Sequence, residues 1–217
     1  LIGHESYSRT STSVSAYKTK LFSDTNLELG GAVIDGQQAA SGLSEYNNEG
    51  YFIRAQYDYA DKIFASGSFR RDASSRFHQD HRWGNFWSAG AGWLMDREAW
   101  FDLWWVNLLK LKASIGSQGN DGIPDYLYTD TYEVSNNEGE VAVAFRSKGN
   151  PDITWETNLN FNTGVDFDLF SGRLAGSVEY FYRKTSDMLF FFNVPLSLGY
   201  SGYYDNIGDM RNSGVEV

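Results

Sequence analysis

The chain contains no cysteine. That excludes disulfides and thiolate metal sites, and it leaves the compartment open. Only 3 prolines occur in 217 residues, and none interrupts a strongly alternating run. Cations are in deficit: 18 Lys and Arg against 28 Asp and Glu give a formal net charge of −10. Nucleic-acid phosphates need a basic surface, so no nucleic-acid partner is expected. No apolar run reaches the ~18 residues of a transmembrane helix. No secretory leader is recognisable, and the start at Leu1 reads as the middle of a longer sequence. Length alone allows one or two domains. Aromatic residues, by contrast, are plentiful, with 7 Trp, 14 Tyr and 15 Phe. One soluble core of this size ordinarily uses fewer. The negative mean hydropathy of −0.44 does not exclude a membrane barrel, because half of each strand and all the loops of such a barrel are polar.

Trp155–Leu169 carries the clearest pattern. Its odd positions are Trp155, Thr157, Leu159, Phe161, Thr163, Val165, Phe167 and Leu169, and none of its even positions is apolar. Side chains alternate faces along a strand, so this is one long strand with an apolar face and a polar face. Fully extended, it would run about 50 Å, where soluble strands are nearer ~17–20 Å. The next run reverses the parity: Leu174, Gly176, Val178, Tyr180 and Tyr182 are apolar or small. A two-residue loop of Ser171 and Gly172 pairs Leu169 with Leu174, Phe167 with Gly176, Val165 with Val178 and Phe161 with Tyr182. Each pair then keeps apolar side with apolar side, and Gly172 supplies the permissive backbone. Two long two-faced neighbours predict the wall of a membrane barrel.

Further strands are expected at Tyr51–Tyr59, Ile63–Asp72, Asn85–Met95 and Asn107–Ser117, with a last one beginning at Met210–Val217. Leu1–Glu5 reads as the end of another. Ser6–Asn48 is polar and weakly periodic, and reads as a long loop with some local strand. Ala60-Asp61-Lys62 fits a three-residue turn, and Asp96–Val106 a short helical or interfacial connector. Ala73–Gly84, Gly119–Thr154 and Ser186–Asp209 read as long loops, with a short strand at Val141–Phe145. Tight turns at one end and long loops at the other are the outer-membrane barrel signature. The fold class expected is therefore all-β: an antiparallel up-and-down transmembrane β-barrel, present in part as about seven strands of a larger plugged barrel. Tyr57, Tyr59, Phe167 and Phe170 would lie at the periplasmic interface, and Tyr180 and Tyr182 near the upper girdle. Leu159, Phe161, Val165, Phe167, Val178, Tyr180 and Tyr182 would face lipid. Asn158, Asn160, Asn162, Asp166 and Glu179 would face the lumen. A soluble carbohydrate-binding β-sandwich and a secreted β-rich hydrolase are the alternatives, and short strands packed face to face would favour the first.

Several phrases together resemble the SusC/RagA family of TonB-dependent outer-membrane transporters. They are Tyr57–Lys62, Ala65–Phe77, Arg82–Trp93, Val106–Ser114, Gly116–Gly122, Asn150–Thr157, Tyr180–Leu189 and Leu198–Glu216. They follow the family's order and cover most of the chain from Tyr51 onward. Ala73 stands where the family usually has glycine, and Ser6–Asn48 has less to match. The resemblance implies residues 1–217 as the central part of the receptor β-barrel, with the plug domain and the C-terminal strands lying outside them. It also implies energised import of oligosaccharides or peptides across the bacterial outer membrane of a Bacteroidetes-like organism. The implied partners are a SusD-like surface lipoprotein, TonB through the N-terminal region, and outer-membrane lipid.

No enzymatic site is expected: no nucleophile–base pair or phosphate-binding glycine loop stands out, and no cofactor is implied. His78-Gln79-Asp80-His81 is thin for a metal site. Gly119–Gly122 with Asp125 lacks the spaced ligands of a calcium loop. Asp166, Asp168 and Glu179 are expected as solvated wall residues rather than a glycosidase pair. Arg70, Arg71, Asp72 and Arg76 are expected as a salt-bridged rim. No catalytic, metal or substrate-contacting residue can be assigned from the sequence.

Overall fold

The computed structural model describes residues 1–21, 24–25, 27–29 and 32–217. The strands in chain order are β1 (Ile2–Leu21), β2 (Ala32–Tyr59), β3 (Ile63–Ser74), β4 (Trp83–Leu94), β5 (Val106–Asn120), β6 (Thr131–Asn137), β7 (Glu140–Ser147), β8 (Glu156–Leu169), β9 (Leu174–Ser186), β10 (Leu189–Asn193), β11 (Gly202–Asn206) and β12 (Met210–Glu216). Eight form one sheet in the order β1-β2-β3-β4-β5-β8-β9-β12, while β6–β7 and β10–β11 are separate two-stranded hairpins. The strands expected from alternation are all present, and β1 makes the eighth. No described helix is long and apolar enough to cross a membrane, which says nothing of strands. The sandwich alternative fails because the long strands share one sheet and, among the described residues, the other sheets have only two strands each.

The contacts divide the chain into two compact units, Leu1–Ser6 with Asn48–Val217, and Tyr7–Asn47. The larger contains the wall. Its register from β8 to β9 pairs Leu169 with Leu174, Phe167 with Gly176, Val165 with Val178 and Phe161 with Tyr182, as the alternation requires. The ladder stops at Leu169 and Leu174, so the connection has four residues, Phe170–Arg173. Phe170, Ser171 and Gly172 all have positive φ, where glycine alone was expected to. A tight reversal between strongly twisted strands imposes that backbone. Ala60–Lys62 is the three-residue turn expected, with Tyr59 paired to Ile63.

The face assignment holds where side chains meet. Ile63, Trp93, Leu111, Val165, Val178 and Val215 line one shallow apolar depression. Lys112, Asp166 and Glu179 meet on the other face. From Phe161 to Leu169 the apolar face spans eight residue steps, about 27 Å along the strand, close to the ~25 Å band of a barrel wall. Trp155 departs from the pattern. The strand begins at Glu156, and Trp155 turns into a buried cluster instead of joining the apolar face.

The smaller unit corrects the reading of Ser6–Asn48 as a loop. Most described residues there belong to β1 and β2, which run as neighbours, while Asp24, Thr25, Leu27, Glu28 and Leu29 lie between them. Phe22, Ser23, Asn26, Gly30 and Gly31 lie outside the described residues. Within the unit, the rings of Tyr7 and Tyr46 lie 6.1 Å apart and the Arg9 guanidinium sits 5.9 Å from the Tyr46 ring. β1 is exposed along nearly its whole length. With Ser and Thr on both faces, it has no apolar period to read.

Candidate functional site

The polar face of the wall carries small side chains together with charged ones, among them Asp58, Lys110 and a Lys112–Asp166–Glu179 group. Gly90, Lys112, Ser114, Asn162 and Glu179 are among the residues lining an open concavity of about 720 Å³. Lys112 Nζ donates to Asp166 Oδ1 at 2.7 Å and also to Glu179. Gly164 makes this possible, for a Cβ there would lie 2.8 Å from Glu179 Cγ and 2.7 Å from the Val178 carbonyl oxygen. One ammonium thus bridges two carboxylates, on β8 and β9. The arrangement is therefore a structural tie on a solvated wall, not the separated acid and base of a glycosidase. Asp168 accepts from Asn107 Nδ2 at 3.3 Å.

At the long-loop end the charges form the expected rim. Arg70 Nε donates to both Asp72 oxygens at 2.6 and 2.7 Å, and its Nη2 to Glu5 at 2.8 Å. Arg76 Nε donates to Asp125 at 3.1 Å and its Nη1 to the Asp121 carbonyl at 2.8 Å. Arg71 points to the opposite face, 5.2 Å from the Trp83 ring, and Trp83 stacks on Tyr51. His78 and His81 do not converge: His78 Nδ1 lies 3.2 Å from Asp80, and His81 Nε2 3.6 Å from Asp152. Among the described residues, no group of three or more His, Asp or Glu side chains is placed to hold a metal. Gly119–Gly122 closes on itself through Asn120 Oδ1, which accepts from Gly122 N at 2.9 Å.

The long loops are not loose. Phe77, Phe86, Ile123, Ile153 and Trp155 form a buried apolar cluster, with Leu127, Tyr128, Leu189 and Tyr204 packed against it. The Trp155 ring lies 5.2 Å from those of Phe77 and Phe86, and its Nε1 donates to the Arg82 carbonyl at 2.9 Å. Asn206 Nδ2 donates to the carbonyls of Thr154 and Asp187 at 2.9 and 2.8 Å. Asn150 Nδ2 reaches Asp205 Oδ1 at 2.9 Å. Residues expected as three separate loops thus form one folded cluster. Sequence reasoning missed it because isolated Phe77, Ile123 and Ile153 in polar stretches have no period.

The tight turns at the opposite end are joined as well. Lys62 Nζ and Trp93 Nε1 each donate to Glu98 at 3.1 Å, and Arg97 Nη1 donates to the Asp61 carbonyl at 2.7 Å. The hydrogen bonds from Trp93 and Lys62 hold the Glu98 carboxyl below its ordinary pKa. Trp105 stacks on Phe170, with Phe170 N donating to the Trp105 carbonyl at 2.8 Å. Tyr57, Tyr59, Trp100 and Trp104 stand exposed at this end.

Residues 2–217 match the family described as TonB dependent receptor-like, beta-barrel. The chain is 33% identical over 206 residues to TonB-dependent receptor P3 of Formosa agariphila, covering 93% of this chain and 20% of that protein. It is 31% identical over 176 residues to TonB-dependent receptor SusC of Bacteroides thetaiotaomicron, covering 76% of this chain and 18% of that one. Among solved structures, the RagAB peptide transporter superposes with a TM-score of 0.89 at 28% identity, over 99% of this chain and 24% of that one. The chain therefore spans about a fifth of the length of these curated relatives and about a quarter of that solved structure.

Proposed function

The chain belongs to the TonB-dependent receptor-like β-barrel family, and on that premise we propose that it is the central part of a transporter's barrel wall, importing oligosaccharides or peptides with TonB-supplied energy. It is an antiparallel segment of a bacterial outer-membrane barrel of the SusC/RagA type. Its relatives are receptors and transporters rather than enzymes. The plug domain and the remaining strands would be supplied by sequence outside residues 1–217.

The observation that carries the reading is the two-faced wall ending in a folded loop cluster. The apolar face suits lipid, and the polar face with Lys112, Asp166 and Glu179 suits a hydrated lumen. A SusD-like lipoprotein would meet the extracellular cluster formed by Gly119–Thr154 and Ser186–Asp209. Long ordered loops are a common place for such function. The likeness to the RagAB peptide transporter supports this reading.

The test is uptake by cells carrying the intact transporter, with labelled oligosaccharides and peptides offered separately. Uptake of one class that stops when TonB is deleted is the expected result. Uptake that persists without TonB would sink the proposal. Deleting Asn136–Ala142 at the β6–β7 tip and co-purifying the lipoprotein tests the partner. Unchanged capture and uptake after trimming both long loops would remove it.

A further inference from the structure

Apart from the wall, the loop cluster holds a partly enclosed hollow of about 320 Å³, within the size range of small-molecule sites. Tyr126, Tyr203, Tyr204 and Phe191 make its aromatic lining, and Arg146 and Lys148 line it too. Lys148 Nζ lies 5.9 Å from the Tyr203 ring. Both cations are exposed, and among the described residues neither is in an ion pair. Asp125, the acid in the lining, is held by Arg76 at 3.1 Å. A hollow with two uncommitted cations is notable on a chain of net charge −10. Its local field favours an anion against the field of the whole.

The hollow is also built to a shape. A Cβ at Gly202 would lie 2.0 Å from the Phe192 carbonyl oxygen and 2.7 Å from the Phe191 ring. A Cβ at Gly149 would lie 2.3 Å from the Thr129 carbonyl carbon. Neither position accepts a side chain, so close backbone approach defines the walls. Tyr126 has φ of 66°, a left-handed conformation that a bulky aromatic residue seldom adopts. Such strain collects at ligand-binding sites.

The lining sorts possible ligands. Tyrosine faces take up the C–H face of a pyranose ring, while the hydroxyls of Tyr126 and Thr129 can exchange hydrogen bonds with a sugar's edge. Arginine and lysine take a carboxylate or sulfate. A peptide's terminal carboxylate would satisfy the cations but bring no hydroxyl-edged ring to the tyrosines. We propose that this hollow binds one acidic pyranose unit, carrying a carboxylate or a sulfate, of an oligosaccharide offered for import. The proposal rests on the transport reading and narrows its substrate to anionic glycans.

Equilibrium binding to the purified full-length transporter in detergent tests it, by calorimetry with four probes: trigalacturonate, galactose 6-sulfate, maltotriose and trialanine. At least one acid probe should bind ten-fold or more tighter than maltotriose, and less tightly as salt rises. Which acid binds better separates carboxylate from sulfate. The double variant Arg146→Ala/Lys148→Ala should lose that preference by ten-fold or more and leave maltotriose unchanged. Its folding is checked by the heat-dependent gel shift of the barrel. Tyr203→Ala should weaken the acid probe even with both cations present. No binding of either acid probe, an unaffected double variant, or trialanine as the tightest probe would each overturn the proposal. Detergent binding needs no TonB, so the two readings fail separately. Binding without energised uptake would count against the transport role alone, and uptake indifferent to Arg146 and Lys148 against the hollow alone.

Discussion

The wall and the loop cluster are ordered in opposite ways. Every residue of β8 is half-buried and none is fully buried, although both its edges are paired. In the cluster, Phe77 and Ile153 are 0% exposed. The wall is held by ladder hydrogen bonds and register, and its apolar face is left for a solvent other than water. The cluster is held as a small water-soluble protein is held, by side chains packed away from water. In this chain the regular strands have no core of their own, and the segments that read as loops do.

The largest test of that difference is Trp155→Ala. It removes a ring packed on Phe77 and Phe86 and the donor to the Arg82 carbonyl. A loss of about 3–5 kcal/mol is expected for such a truncation, confined to the cluster. Limited proteolysis of the assembled transporter should cut within residues 121–155, while the barrel keeps its heat-dependent gel shift. If the barrel also fails, cluster and wall are one cooperative body and the contrast is wrong.

Val165→Arg tests the wall alone. Val165 pairs with Val178 and Leu111 on the apolar face. Arginine near mid-depth should cost about 2–4 kcal/mol of folding into a bilayer, read as lost outer-membrane yield. Normal yield would deny that this face meets lipid.

The smallest effect is a pH dependence at the tight-turn end. The folded-state pKa of Glu98 is depressed by its bonds from Trp93 and Lys62. Its stabilisation is therefore fully present above the unfolded value of about 4.3, and is lost as pH falls through the lower folded value. Amide exchange in the 95–105 connector should rise in that acid window, and Glu98→Gln should abolish the dependence while the loop cluster is unaffected. An unchanged profile in the variant would mean that some other group governs this end.

What could be read from the sequence follows the same division. β8 and β9 were legible because parity persists over a whole strand, and that parity fixed Phe161 opposite Tyr182. β1 and the distal part of β2 were not, because their few apolar residues, such as Tyr7, Val14, Tyr17 and Leu43, are scattered among Ser, Thr and other polar residues without a sustained period. Val141–Phe145 was expected as a strand and proves to lie in β7, but its partner β6 has only Tyr132 and Val134 before it ends in Ser135, Asn136 and Asn137, too short an alternation to read. The family phrases include Tyr203 and Tyr204 but do not show what those residues meet. The lining of the hollow joins Tyr126 to Tyr204, side chains that only the folded cluster brings together.

The strand order has a consequence for how such a chain reaches its folded state. Across the eight-stranded sheet, neighbours follow the sequence without a crossover. The excursions between β5 and β8, and between β9 and β12, each contain a hairpin that pairs within itself. Growth of the sheet can then proceed at one advancing edge, adding a strand whenever the next turn closes. Closing a loop costs only (3/2)RT ln n in entropy, so a long excursion delays the next addition little more than a short one. Short turns set a fast step, and each excursion sets a pause of modest length. The joins of β8 with β5 and of β12 with β9 would then be only modestly slower than the joins made through short turns, although each spans an excursion that carries its own hairpin.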